Sequence, residues 1–126
     1  MNGLHILAEF HDCSGERHLL YDAGALAAIC RRACLEAGLD VVAEAFHQFP
    51  GAGATGALVL AESHLAVHTW PEIDAVTLDL YVCNHSRDNR ATAEAAFAQL
   101  ERAFRPRRTV RRNVERGSLS PAAAPA

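Results

Sequence analysis

Near the start of the chain, apolar residues recur every second position. Leu4, Ile6, Ala8 and Phe10 are separated by His5, Leu7 and Glu9. A period of two predicts a strand with one strongly apolar face. The segment from His11 to Tyr21 is polar, contains Gly15 and reads as a loop. A helical period then takes over. Leu26, Ile29, Cys30, Ala33 and Ala37 fall at offsets of 3, 4, 7 and 11, the buried stripe of an amphipathic helix. Asp22 is placed to cap its N-terminus and Gly38 to stop it. A strand follows from Val41 to about Phe49. Pro50-Gly51-Ala52-Gly53-Ala54 breaks it. This segment lacks a G-x-x-x-x-G-K pattern, so it reads as a tight connection between adjacent strands rather than a phosphate loop.

The next strand runs from Thr55 to Ala61. The polar triplet Glu62-Ser63-His64 follows, then a strand from Leu65 to Trp70 that Pro71 closes. Val76, Leu78, Leu80 and Val82 give another alternating strand, whose other face carries Thr77, Asp79, Tyr81 and Cys83. Ser86 or Asp88 opens a second helix. Its stripe of Ala93, Ala96, Phe97, Leu100 and Phe104 repeats the offsets of the first, and Pro106 ends it. Thr109 to Glu115 alternates as an edge strand, and residues 118–126, rich in Ala, Ser and Pro, read as a disordered tail. The expected class is α+β: a two-layer sandwich with two helices on one face of a mostly antiparallel sheet. The opposite face carries polar residues, so it must be solvated, dimeric or an active site.

A chain of 126 residues predicts one domain. A net charge of −3 argues against nucleic-acid and membrane partners. The charge is uneven, with six arginines and one acid after residue 104, against six arginines and fourteen acids before it. No aromatic interleaves with the late arginines to stack on bases, so they read as a solvated edge strand and tail. All twelve basic residues are Arg. Without a lysine, the chain cannot anchor pyridoxal phosphate through a Schiff base. The four cysteines, Cys13, Cys30, Cys34 and Cys83, form no C-x-x-C pair. Cys30 and Cys34 sit at helical spacing and are expected in the core. The first residues have neither a basic region nor a long apolar run, and no stretch approaches transmembrane length. A cytoplasmic protein with reduced thiols is expected.

The stretch Leu60 to Glu72 places Glu62, Ser63, His64 and His68 within seven residues, beside the only tryptophan, Trp70. His64 and His68 are four apart. Along a strand that is about 13 Å, too far for both to ligate one ion, so no metal is expected there. Ser63 lacks the G-x-S-x-G turn of a Ser-His hydrolase.

The chain resembles the bacterial S-adenosylmethionine decarboxylase proenzymes, the short pyruvoyl-dependent type. The motif E-S-H-L-A-V-H-T-W-P-E carries most of the resemblance. H-I-L-A-E-F, F-H-Q-F, D-L-Y-V-C and E-R-G support it, and the match runs from about Gly3 to Gly117. The resemblance implies self-cleavage between Glu62 and Ser63 of a single domain, 1–117, giving pieces 1–62 and 63–126. Ser63 would become an N-terminal pyruvoyl cofactor, a ketone that condenses with a substrate amine as pyridoxal phosphate otherwise would. It also implies a homodimer that decarboxylates S-adenosylmethionine for spermidine synthesis.

By motif position, the resemblance makes His68 the processing base and a stacking surface for adenine, with Phe49 on the other side. Glu72 matches a ribose-binding carboxylate and Cys83 the catalytic proton donor. Thr55 stands where the family usually has Ser, whose hydroxyl supports the processing oxyanion. Pro50 to Ala54 replaces the usual S-P-Q-G-V, and Asn84 a common Gly. These departures border the pocket. They leave open a pyruvoyl decarboxylase of another amino acid, such as ornithine or arginine, and, in a different class, an unprocessed non-enzymatic adenosine-binding dimer.

Overall fold

The computed structural model describes residues 2–85 and 87–117. One six-stranded sheet organises them, in the order β2-β3-β4-β5-β1-β6, with every neighbouring pair antiparallel. The strands are β1 (Gly3–His11), β2 (Val41–Gln48), β3 (Ala54–Leu60), β4 (Ser63–Trp70), β5 (Ala75–Cys83) and β6 (Arg108–Arg116). Helices α2 (Ala23–Ala37) and α3 (Arg90–Phe104) cover one face. This is the expected two-layer α+β arrangement.

The period-two residues of β1 and β5 form the floor of the core. Ile6, Phe10, Val76, Leu80 and Val82 are fully buried there, with Leu58 from β3 and Leu65 and Val67 from β4. The stripes of both helices lie against this floor. Leu26, Cys30 and Ala33 come from α2, and Ala93, Ala96, Phe97, Leu100 and Phe104 from α3. The Phe10 ring packs 5.7 Å from Phe97 and 6.0 Å from Phe104. Each buried side chain of this size stabilises the fold by about 1.5–3 kcal/mol.

Asp22 caps α2 as expected, its carboxylate accepting from the Gly24 and Ala25 N–H groups. Gly38 ends the helix in the left-handed region at φ 95.

Three sequence expectations need correction. The loop from His11 to Tyr21 contains a short helix, α1 (His18–Tyr21). It buries Leu19 and Leu20 but is too short for a helical period to register. The polar triplet is not an interruption between strands, because Ser63 and His64 already belong to β4. Only Ala61 and Glu62 connect it to β3, with Leu60 paired to Ser63. Finally, α3 begins at Arg90, after Asn89. Asp88 contributes by accepting the Arg90 N–H. Ser86 and the 118–126 tail lie outside the described residues.

Thr69, a buried polar residue of β4, ties three elements together. Its hydroxyl accepts the Ala54 N–H at 2.8 Å and donates to the Leu20 carbonyl at 2.8 Å. Gly53 sits against the same residue. A Cβ there would overlap the Thr69 carbonyl oxygen and lie 2.8 Å from its Oγ1 and 2.9 Å from Pro71 Cδ. Backbone in a paired strand cannot yield, so Gly53→Ala is expected to destabilise the fold by about 1–3 kcal/mol. Gly51→Ala is the control: its Cβ would meet nothing, and only its left-handed φ of 66 opposes the change, at about 1 kcal/mol. Urea midpoints of the two variants measure the difference.

Candidate active site

The β3–β4 hairpin carries most of the motif, and its register decides which residues meet. Glu62, in the connection, adopts the left-handed region at φ 65, unusual for a residue with a Cβ. Ser63 begins β4, and its Oγ accepts the backbone N–H of Cys83 at 3.2 Å. Ser63 and Cys83 therefore meet at one end of the sheet, where β5 also ends.

Cys83 is fixed from behind. The Asn89 side-chain amide donates to its carbonyl at 2.9 Å, and Asn84 Oδ1 accepts the Asn89 N–H at 2.8 Å. The Asn84 side chain thus closes the turn after β5. Asn89 is buried, and sequence reasoning missed it. A polar residue just ahead of a helical stripe signals a cap, but Asn89 makes no side-chain bond to its helix's N-terminal amides. Tyr81, expected on the same strand face as Cys83, lies beside this end but was given no role. Its phenol is held above the ordinary tyrosine range, first by desolvation and then by a hydrogen bond with the Cys83 side chain. The other three cysteines are core residues. Burial pushes the thiols of Cys13 and Cys34 up to about 11 and raises that of Cys30 as well.

At the other end of the hairpin, Thr55 pairs with His68 across β3 and β4. Thr55 Oγ1 is 2.9 Å from His68 Nδ1. If Nδ1–H donates to the hydroxyl, Nε2 keeps its lone pair and can take a proton. Phe49, Thr55, His68, Trp70 and Glu72 surround a cavity of about 290 Å³. Phe49 and Trp70 present exposed rings beside it, at 46% and 44% exposure. A larger cavity of about 720 Å³ opens on the helical side, near His18, Ile29, Arg32 and Arg102. It contains no residue of the motif.

The expected site residues thus form two groups. Ser63 and Cys83 form one, and Phe49, Thr55, His68 and Glu72 the other. Ser63 and His68 are five residues apart on one extended strand, a separation of about 16 Å. The two groups of expected site residues therefore lie well apart on one chain.

The match to a family model for S-adenosylmethionine decarboxylase covers residues 4–117. The chain belongs to the S-adenosylmethionine decarboxylase family. A curated S-adenosylmethionine decarboxylase proenzyme from Moorella thermoacetica is 36% identical over 124 residues, covering 98% of this chain and 94% of that protein. One from Picrophilus torridus is 36% identical over 116 residues, covering 92% of this chain and 85% of the relative. The solved structure of the Aquifex aeolicus adenosylmethionine decarboxylase superposes with a TM-score of 0.84 at 28% identity, covering 98% of this chain and 97% of that one. The family match spans both groups of residues and ends at Gly117. Among the described residues, no helix is long and apolar enough to cross a membrane.

Proposed function

We propose that this chain is a self-processing decarboxylase of S-adenosylmethionine, assembled as a homodimer in the cytoplasm. Its family membership and the proenzyme relatives support the reaction. The observation that carries the reading is Ser63 Oγ held by the Cys83 N–H next to a left-handed Glu62.

Ser63 Oγ attacks the Glu62 carbonyl carbon. The Glu62–Ser63 C–N bond breaks, freeing the Ser63 amine and leaving an ester. A base then removes the Ser63 α-proton and the Cβ–Oγ bond breaks, so residue 62 departs as a carboxylate. The dehydroalanine left at residue 63 tautomerises to an imine, and water releases ammonia. The pieces are 1–62 and 63–126. The strained φ of Glu62 contributes about 1–2 kcal/mol, at most roughly thirtyfold in rate. Most of the acceleration must therefore come from positioning and proton transfer.

The residues around position 63 suit a pyruvoyl group. Cleavage would leave β3 and β4 paired from Thr55–His68 to Leu60–Ser63, with β1 of the first piece still paired to β5 and β6 of the second. The new N-terminus would thus remain in place. When formed, the pyruvoyl ketone supplies the electron sink that decarboxylation requires and that a lysine-free chain cannot draw from pyridoxal phosphate. Cys83 stands next to residue 63 and delivers a proton to the substrate carbon after CO₂ leaves.

A second copy completes the site. Two-fold symmetry sets the Ser63–Cys83 end of one protomer against the Thr55–His68 end of the other, twice per dimer. His68 then acts as the processing base on the partner's serine, with the Thr55 hydroxyl supporting the oxyanion. The aromatic cavity binds the adenosine part, with Phe49 and His68 flanking the base and Glu72 accepting from the ribose hydroxyls. At about 290 Å³ the cavity is at the lower edge of ordinary ligand pockets, which span roughly 300–1,000 Å³, as expected of half a site.

The substrate is tested by measuring CO₂ released separately from carboxyl-labelled S-adenosylmethionine, ornithine and arginine. Release from S-adenosylmethionine alone is expected. Release from ornithine or arginine instead would assign the chemistry to a different amino acid.

A further inference from the structure

Three side chains outside both groups of site residues converge on the face of the sheet that the helices leave uncovered. His5 on β1, His64 on β4 and Asp79 on β5 each offer one ligand atom, and these atoms lie within 4.8 Å of one another. Asp79 Oδ2 is 2.9 Å from His5 Nε2 and 3.0 Å from His64 Nε2. Register explains the convergence. His5 and His64 flank β5 from opposite sides, both paired with Tyr81, two residues from Asp79. The side chains of His5, Asp79 and His64 are 16%, 30% and 38% exposed. Solvent reaches them, yet they stand on three hydrogen-bonded strands.

Two imidazoles and a carboxylate are a donor set for zinc and similar divalent transition ions. Ligands about 2.0–2.1 Å from such an ion stand roughly 3.3 Å from one another in a tetrahedron, close to the two observed separations. We propose that His5, His64 and Asp79 bind a divalent transition-metal ion of the zinc type, with the fourth position left to water. The ion would clamp β1, β4 and β5 one residue beyond Ser63.

Arg116 opposes it. Its Nη1 is 3.5 Å from His5 Nδ1, and its guanidinium lies 4.6 Å from the centre of the Tyr81 ring. A guanidinium only donates. In the metal-free form, His5 Nδ1 therefore accepts, and its Nε2–H donates to Asp79. Metal at Nε2 moves the proton to Nδ1 and displaces Arg116. The cation and the metal compete for one imidazole, which a purely structural hydrogen-bond cluster does not require.

The test uses the untagged full chain expressed with zinc or with cobalt, desalted, and analysed for metal by mass spectrometry. Cobalt ligation is read from visible absorption. About one ion per chain is expected. Asp79→Asn and His5→Gln should lose it by about tenfold or more, and Arg116→Ala should retain it more tightly. Wild type at trace metal content, or variants that keep the wild-type content, would overturn the proposal. Where a variant does not fold, the wild-type cobalt spectrum decides: bands of nitrogen–oxygen ligation support the site, and the spectrum of hydrated cobalt alone refutes it.

Discussion

Mixing a Ser63→Ala chain with a His68→Ala chain should restore a cleavage that neither variant performs alone. The first keeps Thr55 and His68 but has no nucleophile. The second keeps Ser63 and Cys83 but has no base. Because Ser63 and His68 are about 16 Å apart along β4, neither variant can rebuild a site within itself. A mixed dimer unites the intact Ser63 end of one chain with the intact His68 end of the other. Random pairing makes about half the dimers mixed, each with one intact composite site, so about a quarter of all chains should be cut. Every cut chain should be of the His68→Ala type. Co-expression followed by intact-mass analysis reads the outcome. If no chain is cut while each variant still folds and dimerises, the two half-sites do not combine across a dimer.

Cys83→Ala should separate processing from turnover. Ser63 Oγ is held by the Cys83 backbone N–H, not by its thiol, so removing the side chain leaves the nucleophile supported. The Glu62–Ser63 bond should still break. Decarboxylation should fall by about 10²–10⁴, the range for losing a positioned proton donor. Cleaved fraction and kcat measured on one preparation give both quantities. Equal loss of cleavage and turnover would make Cys83 a structural support rather than the proton donor.

The architecture was legible because its two periods are clean. Leu4 to Phe10 and Val76 to Val82 alternate with little interruption, and both helical stripes share the same offsets. The candidate chemistry was read from the polar residues Glu62, Ser63, His64, His68 and Glu72, which stand among the buried Leu65, Val67 and Thr69 of the same stretch. The separation of Ser63 from His68 was less legible. Ser63 and His68 look adjacent in sequence, and only extended geometry separates them. Asn89 was hidden for a related reason: its amide donates to the Cys83 carbonyl six residues earlier rather than capping the N-terminal amides of its own helix. His5 and Asp79 were visible as polar strand residues, but 74 positions separate them, and only the β1–β5 register brings them together.

The central claim is that the Glu62–Ser63 bond is one the folded protein breaks itself. Intact-mass analysis of the purified wild type tests it most directly. The account predicts two pieces, 1–62 and 63–126. The second should resist amine-directed N-terminal sequencing and react with a hydrazide through its terminal ketone, while Ser63→Ala stays whole. A folded wild type that remains a single chain of 126 residues would contradict the account and leave at most an adenosine-binding protein.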